Sequence, residues 1–545
     1  MQGRTAIAKI LKMEGVEFIS GFPMNPVIEA CAEEGIRTII SRNERVGVGI
    51  ADGYTRVNNG KKIGVCGMQS GPGVENAFSG VAQAYSESSP ILVLPGGSAR
   101  RRIVPPYFLS SRAFEPITKW SETISFADAV PDLMRRAFTN LRTARQGAVL
   151  LEVPMDVATE QFDDEKFSYT PVKAARSAGD PADIKAVVKA LLAAKNPIIR
   201  AGIGVLWAEA WDELLEFAEL TQIPVYTTNN GKSSFPENHP LALGAGSNGY
   251  PKMIRHFTTK SDLTLAIGSS CTKGGFTFTI PDGKKIIQVT VDQRDINKDY
   301  PMEHVIIGNA KLVLQQLIEE VKAQTGPDGK KGDDSVAKEV KKIKDEWLEE
   351  WMPKLTSDEK PINPYRVIND LKNTLDPKET IITHDAGSPR DSMTPFWEAP
   401  VHNSYIGWGK STTLGGSLGF SMGAKLAKPE KTCVAFLGNA AFGMVGMDFE
   451  TAVRENLPVI VVVINNYTLG GYSKFHPVAI EKFNLDRQGG NYAKVAEGLG
   501  GYGETVEEPA EIVPAIKRAQ QSTASGKAAM LEIITREETA FSTYQ

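Results

Sequence analysis

The chain has almost no cysteine: four in 545 residues, Cys31, Cys66, Cys271 and Cys433. They stand far apart with no metal-binding spacing, which excludes a disulfide framework or a zinc module as the basis of the fold. All four are expected to be reduced core thiols of a cytoplasmic protein. Long apolar runs are missing too. None reaches the roughly 18 residues that a spanning helix needs, so no membrane partner is expected. Nor is there an excess of one charge: 61 Lys and Arg against 65 Asp and Glu leave a formal charge of −4, with no general call for nucleic acid. The N-terminus lacks a signal-peptide pattern, because Ile7, Ile10, Leu11 and Val16 recur at helical spacing with charges between them. No short internal repeat is visible.

What is present is ordinary for a soluble protein of about three domains at roughly 100–200 residues each. Two stretches read as linkers. One, near Val157 to Pro181, is charged and broken by Pro171, Gly179 and Pro181; the other, near Gln324 to Pro361, holds GPDGKKGDD and a highly charged helix. This predicts domains at 1–165, 180–323 and 362–545, with a linker at 324–361. Short apolar strands alternate with helices in each. They are predicted at Phe18–Ser20, Arg37–Ile40, Lys62–Val65, Ile91–Leu94 and Ala148–Glu152, then at Pro197–Ala201, Pro224–Thr227, Leu263–Ile267 and Lys285–Val291, and finally at Thr380–Thr383, Cys433–Leu437, Val459–Ile464 and Ala529–Ile533. The alternation argues for an α/β protein of three doubly wound parallel-sheet domains.

The most informative stretch is Gly438-Asn439-Ala440 after one buried strand and Asn465-Asn466 after the next, with a helix over Phe449 to Glu455 between them. Both groups fall at carboxyl ends of parallel strands, where open α/β sheets bind ligands. Side-chain oxygens there suit a hard cation that bridges a diphosphate. The spacing resembles the thiamine diphosphate motif, Gly-Asp-Gly or Gly-Asp-Ser followed by Asn-Asn, with Asn439 standing where that motif has Asp.

In the first domain Glu44 opens a helix running to about Arg56, and Met68-Gln69-Ser70-Gly71-Pro72-Gly73 is a strand-to-helix turn that lets backbone approach a ligand. Glu44, Ala51-Asp52-Gly53-Tyr54-Thr55-Arg56, Ser70-Gly71-Pro72-Gly73 and Asn76 together resemble the pyrimidine-binding domain of the acetolactate synthase, 2-hydroxyacyl-CoA lyase and oxalyl-CoA decarboxylase superfamily. Ile223-Pro224-Val225 and Phe235-Pro236-Glu237-Asn238-His239-Pro240-Leu241 are similar to its middle domain, and Gly446-Met447 and Asn456-Leu457-Pro458-Val459 to its diphosphate-binding domain. The resemblance runs through the whole chain.

It implies thiamine diphosphate and Mg²⁺ as cofactors. Glu44 would hold the aminopyrimidine, with Pro72 and Asn76 beside it and Leu414 under the bend of the cofactor. Gly387, Ser388, Gly438, Ala440, Ala441, Asn466 and Gly470 would line the diphosphate, with His384 and Asp385 as further candidates. Asn439, Asn466 and the Thr468 carbonyl would hold the metal. Gln69 and His476 are candidates to contact the reacting substrate. The resemblance also implies a homodimer or homotetramer, with the cofactor between the first domain of one subunit and the third of another.

The branch is read from smaller signs. Ala441-Phe442-Gly443 with Gly446-Met447 and Glu450-Thr451 is similar to the CoA-lyase and oxalyl-CoA branch, and Arg100-Arg101-Arg102 with Arg112 is a basic loop suited to CoA phosphates. Gly268-Ser269-Ser270-Cys271 replaces the pattern of FAD-holding relatives, which argues against FAD. Gly202-Ile203-Gly204 is a dinucleotide-like turn without the third glycine or the downstream acid, and it leaves ADP, a CoA nucleotide or no nucleotide open for the middle domain. Against the CoA branch stands Asn466-Tyr467-Thr468-Leu469-Gly470-Gly471-Tyr472. The primary expectation is a 2-hydroxyacyl-CoA lyase releasing formyl-CoA. The alternatives are an acetolactate-synthase-like carboligase on pyruvate or another 2-keto acid, an oxalyl-CoA-type decarboxylase, and a weakly active thiamine diphosphate-binding protein. The tail from Thr539 to Tyr544 is expected as a lid or a frayed end.

Overall fold

The computed structural model describes residues 1–102, 108–161, 163–471 and 475–544. In the first domain, β1 (Phe18–Gly21), β2 (Arg37–Ile40), β3 (Val65–Met68), β4 (Leu92–Gly97), β5 (Trp120–Thr123) and β6 (Val149–Pro154) form a parallel sheet in the order β2-β1-β3-β4-β6-β5. In the middle domain, β7 (Pro197–Ala201), β8 (Val225–Thr228), β9 (Ala242–Gly246), β10 (Leu263–Ile267), β11 (Lys285–Thr290) and β12 (His304–Ile307) are ordered β12-β11-β10-β7-β8-β9. In the third, β13 (Thr380–His384), β14 (Tyr405–Ile406), β15 (Thr432–Gly438), β16 (Ile460–Asn465), β17 (Tyr502–Val506) and β18 (Ala529–Ile534) repeat the first order as β14-β13-β15-β16-β18-β17. The central strands are apolar throughout because helices cover both faces. Each sheet has a point where the winding reverses: β1/β3, β7/β10 and β13/β15. A crevice opens there, and ligands of such sheets bind in it.

Several boundaries differ from expectation. The strand expected at Lys62–Val65 is β3, three residues later, because Lys61 and Lys62 lie on the surface and Cys66 to Met68 are buried. β5, β9, β12, β14 and β17 were not anticipated. The charged helix expected in the linker is present as Ser335–Leu355, but it is no free connection: its Val340, Ile343, Trp347, Trp351 and Leu355 are buried with Tyr365, Phe396 and Trp397 of the third domain. Burial of each large apolar side chain there contributes on the order of 1.5–3 kcal/mol. The tail from 539 to 544 docks on the same helix: Trp347 donates to Ser542 and Trp351 to the Tyr544 hydroxyl, while Tyr250 of the middle domain donates to the Tyr544 carbonyl.

The first and third domains meet along two helices, Glu44–Val57 and Gly416–Ala427. Glycine is required at this seam. A methyl group on Gly49 would stand 3.2 Å from the Gly419 Cα, and one on Gly423 would stand 2.2 Å from the Ile50 carbonyl oxygen. Arg42 fastens the entry to the first helix, its backbone N–H donating to Asp448 at 2.7 Å and its side chain pairing with Glu450 at 2.9 Å.

Candidate active site

Asn43 ends an extended stretch, caps the helix with its side chain on the Arg45 N–H, and thereby fixes Glu44 at the helix start. The Glu44 side chain turns inward and is 6% exposed. Its Oε2 accepts from Asn76 Nδ2 at 3.2 Å. Gly73 keeps space open between Glu44 and Gln69: a Cβ there would lie 3.1 Å from Glu44 Oε1 and 3.2 Å from the Gln69 Cβ. The structure therefore brings Glu44, Gln69, Gly73 and Asn76 together at the switch point of the first sheet, with Pro72 opening the following helix at the rim.

The second group lies at the switch point of the third sheet. Gly387, with φ of 77°, follows β13 and starts the helix Ser388–Phe396; nothing stands where its side chain would be. Gly438 ends β15 with only Pro389 near, and Asn439, Ala440 and Ala441 begin the next helix. These two turns leave a cradle of backbone amides that a diphosphate fits. Leu414 is half-buried against the core just before the helix Gly416–Ala427. That turn is clamped from β13. The Asp385 carboxylate accepts from the N–H of Gly415 at 2.9 Å, the N–H of Ser417 at 3.1 Å, the Ser417 hydroxyl at 2.6 Å and the Ala386 N–H at 2.9 Å. Burial pushes the Asp385 pKa up against these donors.

His384 is fully buried and faces away from this cradle. Burial, and after it Arg390, push its pKa down to about 3, so the ring is neutral. Its Nδ1 lies 3.1 Å from the Asp385 carbonyl, while Nε2 accepts from the Trp408 N–H and lies 3.1 Å from the Asn229 amide nitrogen of the middle domain. It joins two domains.

Asn466 folds into a turn in which its Oδ1 accepts from the N–H and hydroxyl of Thr468 at 3.0 and 3.1 Å. This aims the Thr468 carbonyl at Asn439, whose Nδ2 lies 3.1 Å from it and 3.0 Å from Gln488 Oε1. The oxygens offered here suit a hard cation, and none carries a formal charge. Among the described residues no cluster of three His, Cys, Asp or Glu side chains forms a competing metal site. The Gly471 N–H donates to Glu537, which holds the end of the Gly470 turn. His476 is exposed at the start of the helix Pro477–Phe483. Tyr472 and Lys474 of the neighbouring sequence lie outside the described residues.

The sequence reading did not single out Arg45 or Gln488. Arg45 reaches across the seam, with a guanidinium nitrogen 3.4 Å from where a Gly415 side chain would begin, facing Asp385 and Asp448. A polar residue one position after Glu44 on the same helix was the available sign. Gln488 had none: an isolated antiparallel bridge, Thr468 with Arg487, places it.

The basic loop is partly spent. Arg100 pairs with Asp156 and Glu160, both at 2.9 Å, while Arg101, Arg102 and Arg112 are exposed. A cavity of about 640 Å³ opens at the β7/β10 switch point, with Gly204, Trp207, Gly268, Asp292, Arg142, Arg145 and Lys410 on its walls. Gly202 and Gly204 approach Gly268 closely, and the Trp207 Nε1 and Gln146 Oε1 are buried without a hydrogen-bond partner among the described residues. Burial lowers the Lys410 pKa to about 8.

Comparison with known proteins bears on both clusters. Residues 1–117 match the model described as the thiamine pyrophosphate enzyme N-terminal TPP binding domain, 184–317 the central domain, and 385–533 the C-terminal TPP binding domain. A probable acetolactate synthase large subunit of Methanocaldococcus jannaschii is 32% identical over 95% of this chain and 90% of its own length. An acetolactate synthase large subunit of Haemophilus influenzae is 27% identical over 95% of this chain and 92% of its own. A glyoxylate carboligase of Escherichia coli O157:H7 is 27% identical over 95% of this chain and 90% of its own.

Proposed function

The chain belongs to the thiamine pyrophosphate enzyme family, and on that premise we propose that it is an acetolactate-synthase-like carboligase that joins 2-keto acids with Mg²⁺ as second cofactor. The observation that carries this reading is the end-to-end likeness to relatives named acetolactate synthase and glyoxylate carboligase. It replaces the 2-hydroxyacyl-CoA lyase expected from Ala441-Phe442-Gly443 and the basic loop. The engagement of Arg100 with Asp156 and Glu160 supports the change, since that guanidinium is not free for a CoA phosphate.

Bound thiamine diphosphate supplies an acidic carbon that adds to a carbonyl and takes up electrons when the neighbouring bond breaks. The residues of this chain prepare for that. Asn76 occupies Glu44 Oε2 and leaves Oε1, beside Gly73, to hold a proton on the aminopyrimidine. Gly387 and Gly438 would receive the diphosphate; Asn439, Asn466 and the Thr468 carbonyl would hold the cation; Asp385 keeps the Leu414 turn in place. Gln69, near Glu44, is positioned to meet substrate, and the exposed His476 is the weaker candidate. Met444 and Met447, just after the Gly438 turn, are exposed apolar side chains that a second copy would cover, in keeping with a homodimer whose cofactors sit between subunits.

The test is mass spectrometry of products formed with thiamine diphosphate and Mg²⁺ from pyruvate, from glyoxylate, or from a 2-hydroxyacyl-CoA. Acetolactate or another 2-keto-acid condensation product, with the thioester untouched, supports the reading. Formyl-CoA from the thioester would overturn it.

A second ligand is favoured by the unpartnered Trp207 Nε1 and Gln146 Oε1 in the 640 Å³ cavity, at the switch point where this strand order holds nucleotides. We read it as a site for ADP or a CoA nucleotide. A rise in melting temperature with ADP or CoA, lost in Trp207→Ala, checks it; no shift with either would sink it.

A further inference from the structure

We propose that Gln488 is an oxygen donor of the cation site, completing an uncharged set with Asn439, Asn466 and the Thr468 carbonyl; the inference rests on the thiamine diphosphate reading above. The first observation is distance. The terminal atom of Asn439 that faces the loop lies 3.1 Å from Thr468 O and 3.0 Å from Gln488 Oε1. With the amide nitrogen in that place, it bridges the two oxygens as a donor. A half turn of the side-chain amide puts the oxygen there instead, since the two ends of the amide are nearly the same shape. Asn439 Oδ1 would then stand about 3 Å from each of two other oxygens. In an octahedron with Mg–O of about 2.0–2.1 Å, neighbouring oxygens are separated by roughly 2.9–3.0 Å. The longer Ca–O bonds, about 2.3–2.6 Å, demand wider separations. The spacing therefore suits Mg²⁺ and is tight for Ca²⁺.

The second observation is how Gln488 is held. The Gln488 N–H donates to the Tyr467 carbonyl at 2.8 Å, the Leu469 N–H donates to the Asp486 carbonyl at 2.7 Å, and Thr468 pairs with Arg487 between them. A short antiparallel contact thus fixes the backbone of Gln488 to the loop that carries Thr468. From that fixed backbone the Gln488 side chain reaches Asn439, its Oε1 3.0 Å from the Asn439 side-chain amide.

The set is oxygen-only and neutral. The charge of a bound cation is then balanced by the diphosphate alone, so cation and cofactor bind as a pair and the cation is weakly held without the cofactor. In this chain Gln488 supplies a further ligand where Asn439 has removed a negative charge.

Titration of Mn²⁺, which shares the oxygen preference and octahedral geometry of Mg²⁺, followed by electron paramagnetic resonance with and without thiamine diphosphate, tests this. The full-length protein should take up Mn²⁺ strongly only when the cofactor is present. Gln488→Leu should weaken that uptake by about 10–100-fold, the range seen when groups around a metal are removed. Gln488→Glu, nearly the same shape, should tighten it and give measurable uptake without cofactor; Asn439→Asp should do the same. Wild-type uptake in both Gln488 variants, with cofactor binding intact, would overturn the role of Gln488 alone. Absence of both cofactor and Mn²⁺ binding in the unmodified protein would overturn the assignment and the functional reading together.

Discussion

The Ser417 hydroxyl donates to the Asp385 carboxylate at 2.6 Å across thirty-two residues of chain, and the two backbone amides that flank Gly416 point at the same group. The turn that carries Leu414 is therefore set by an acceptor just after β13. Asp385→Asn puts an amide N–H₂ in place of one carboxylate oxygen, against two or three of these donors, while the other oxygen still accepts. A buried polar group left unsatisfied costs about 1–3 kcal/mol. The expected result is a lower melting temperature together with weaker thiamine diphosphate binding, about tenfold for each 1.4 kcal/mol that falls on the turn. Tryptophan fluorescence titrated with cofactor measures it; unchanged affinity would mean that Leu414 is positioned without Asp385.

Glu44→Gln keeps the size of the side chain and an oxygen for Asn76 while removing the acid. Loss of a positioned proton-transfer group lowers rates by about 10²–10⁴-fold. Both turnover and exchange of the acidic carbon-bound cofactor proton, followed by NMR in D₂O, should fall by that order with the melting temperature little changed. Exchange at the unmodified rate would take Glu44 out of the chemistry.

Acid stability should show two opposing groups. Burial holds His384 down at about 3 from an ordinary 6.5, and lifts Asp448 to about 6 from 3.8. As pH falls from about 6.5 toward 3, the unfolded chain takes a proton at His384 that the folded chain refuses, and stability is lost. As pH falls from about 6 to 4, the folded chain holds a proton at Asp448 that the unfolded chain has not yet bound, and stability is gained. Each slope approaches about 1.4 kcal/mol per pH unit inside its window. Asp448→Asn should raise stability near pH 7 and steepen the loss between pH 6 and 4, read as urea midpoints. A slope equal to that of the unmodified protein would mean that Asp448 titrates normally.

Gly53 lies against Phe420, and a methyl group on it would stand 2.3 Å from the Phe420 carbonyl oxygen. Helix propensity alone favours Ala over Gly by roughly 1 kcal/mol. Overpacking a buried contact costs about 1–3 kcal/mol, and here the obstacle is backbone. Gly53→Ala should therefore destabilise, with a lower denaturant midpoint; a stabilised variant would show that the seam opens freely.

The strands that escaped the sequence share a place. β5, β9, β12, β14 and β17 all stand at sheet edges. An edge strand is not enclosed on both sides, so residues such as those of Trp120–Thr123 or Tyr502–Val506 are mixed in polarity and lack the apolar run that marks β15 or β16. The two candidate binding turns were legible because glycine, asparagine and a carboxylate fall at strand ends in a regular order. Gln488 and Arg45 were not, since one depends on a single backbone bridge and the other on a contact between helices some 370 residues apart in the chain.

The helix Ser335–Leu355 joins the middle and third domains, where a flexible connection would permit them to swing. Its tryptophans are sunk among third-domain side chains, and the tail tied to them is also tied to Tyr250. It acts as a strut. Independent swinging of the middle and third domains is therefore opposed at both ends of the helix, and the two are tied as one body.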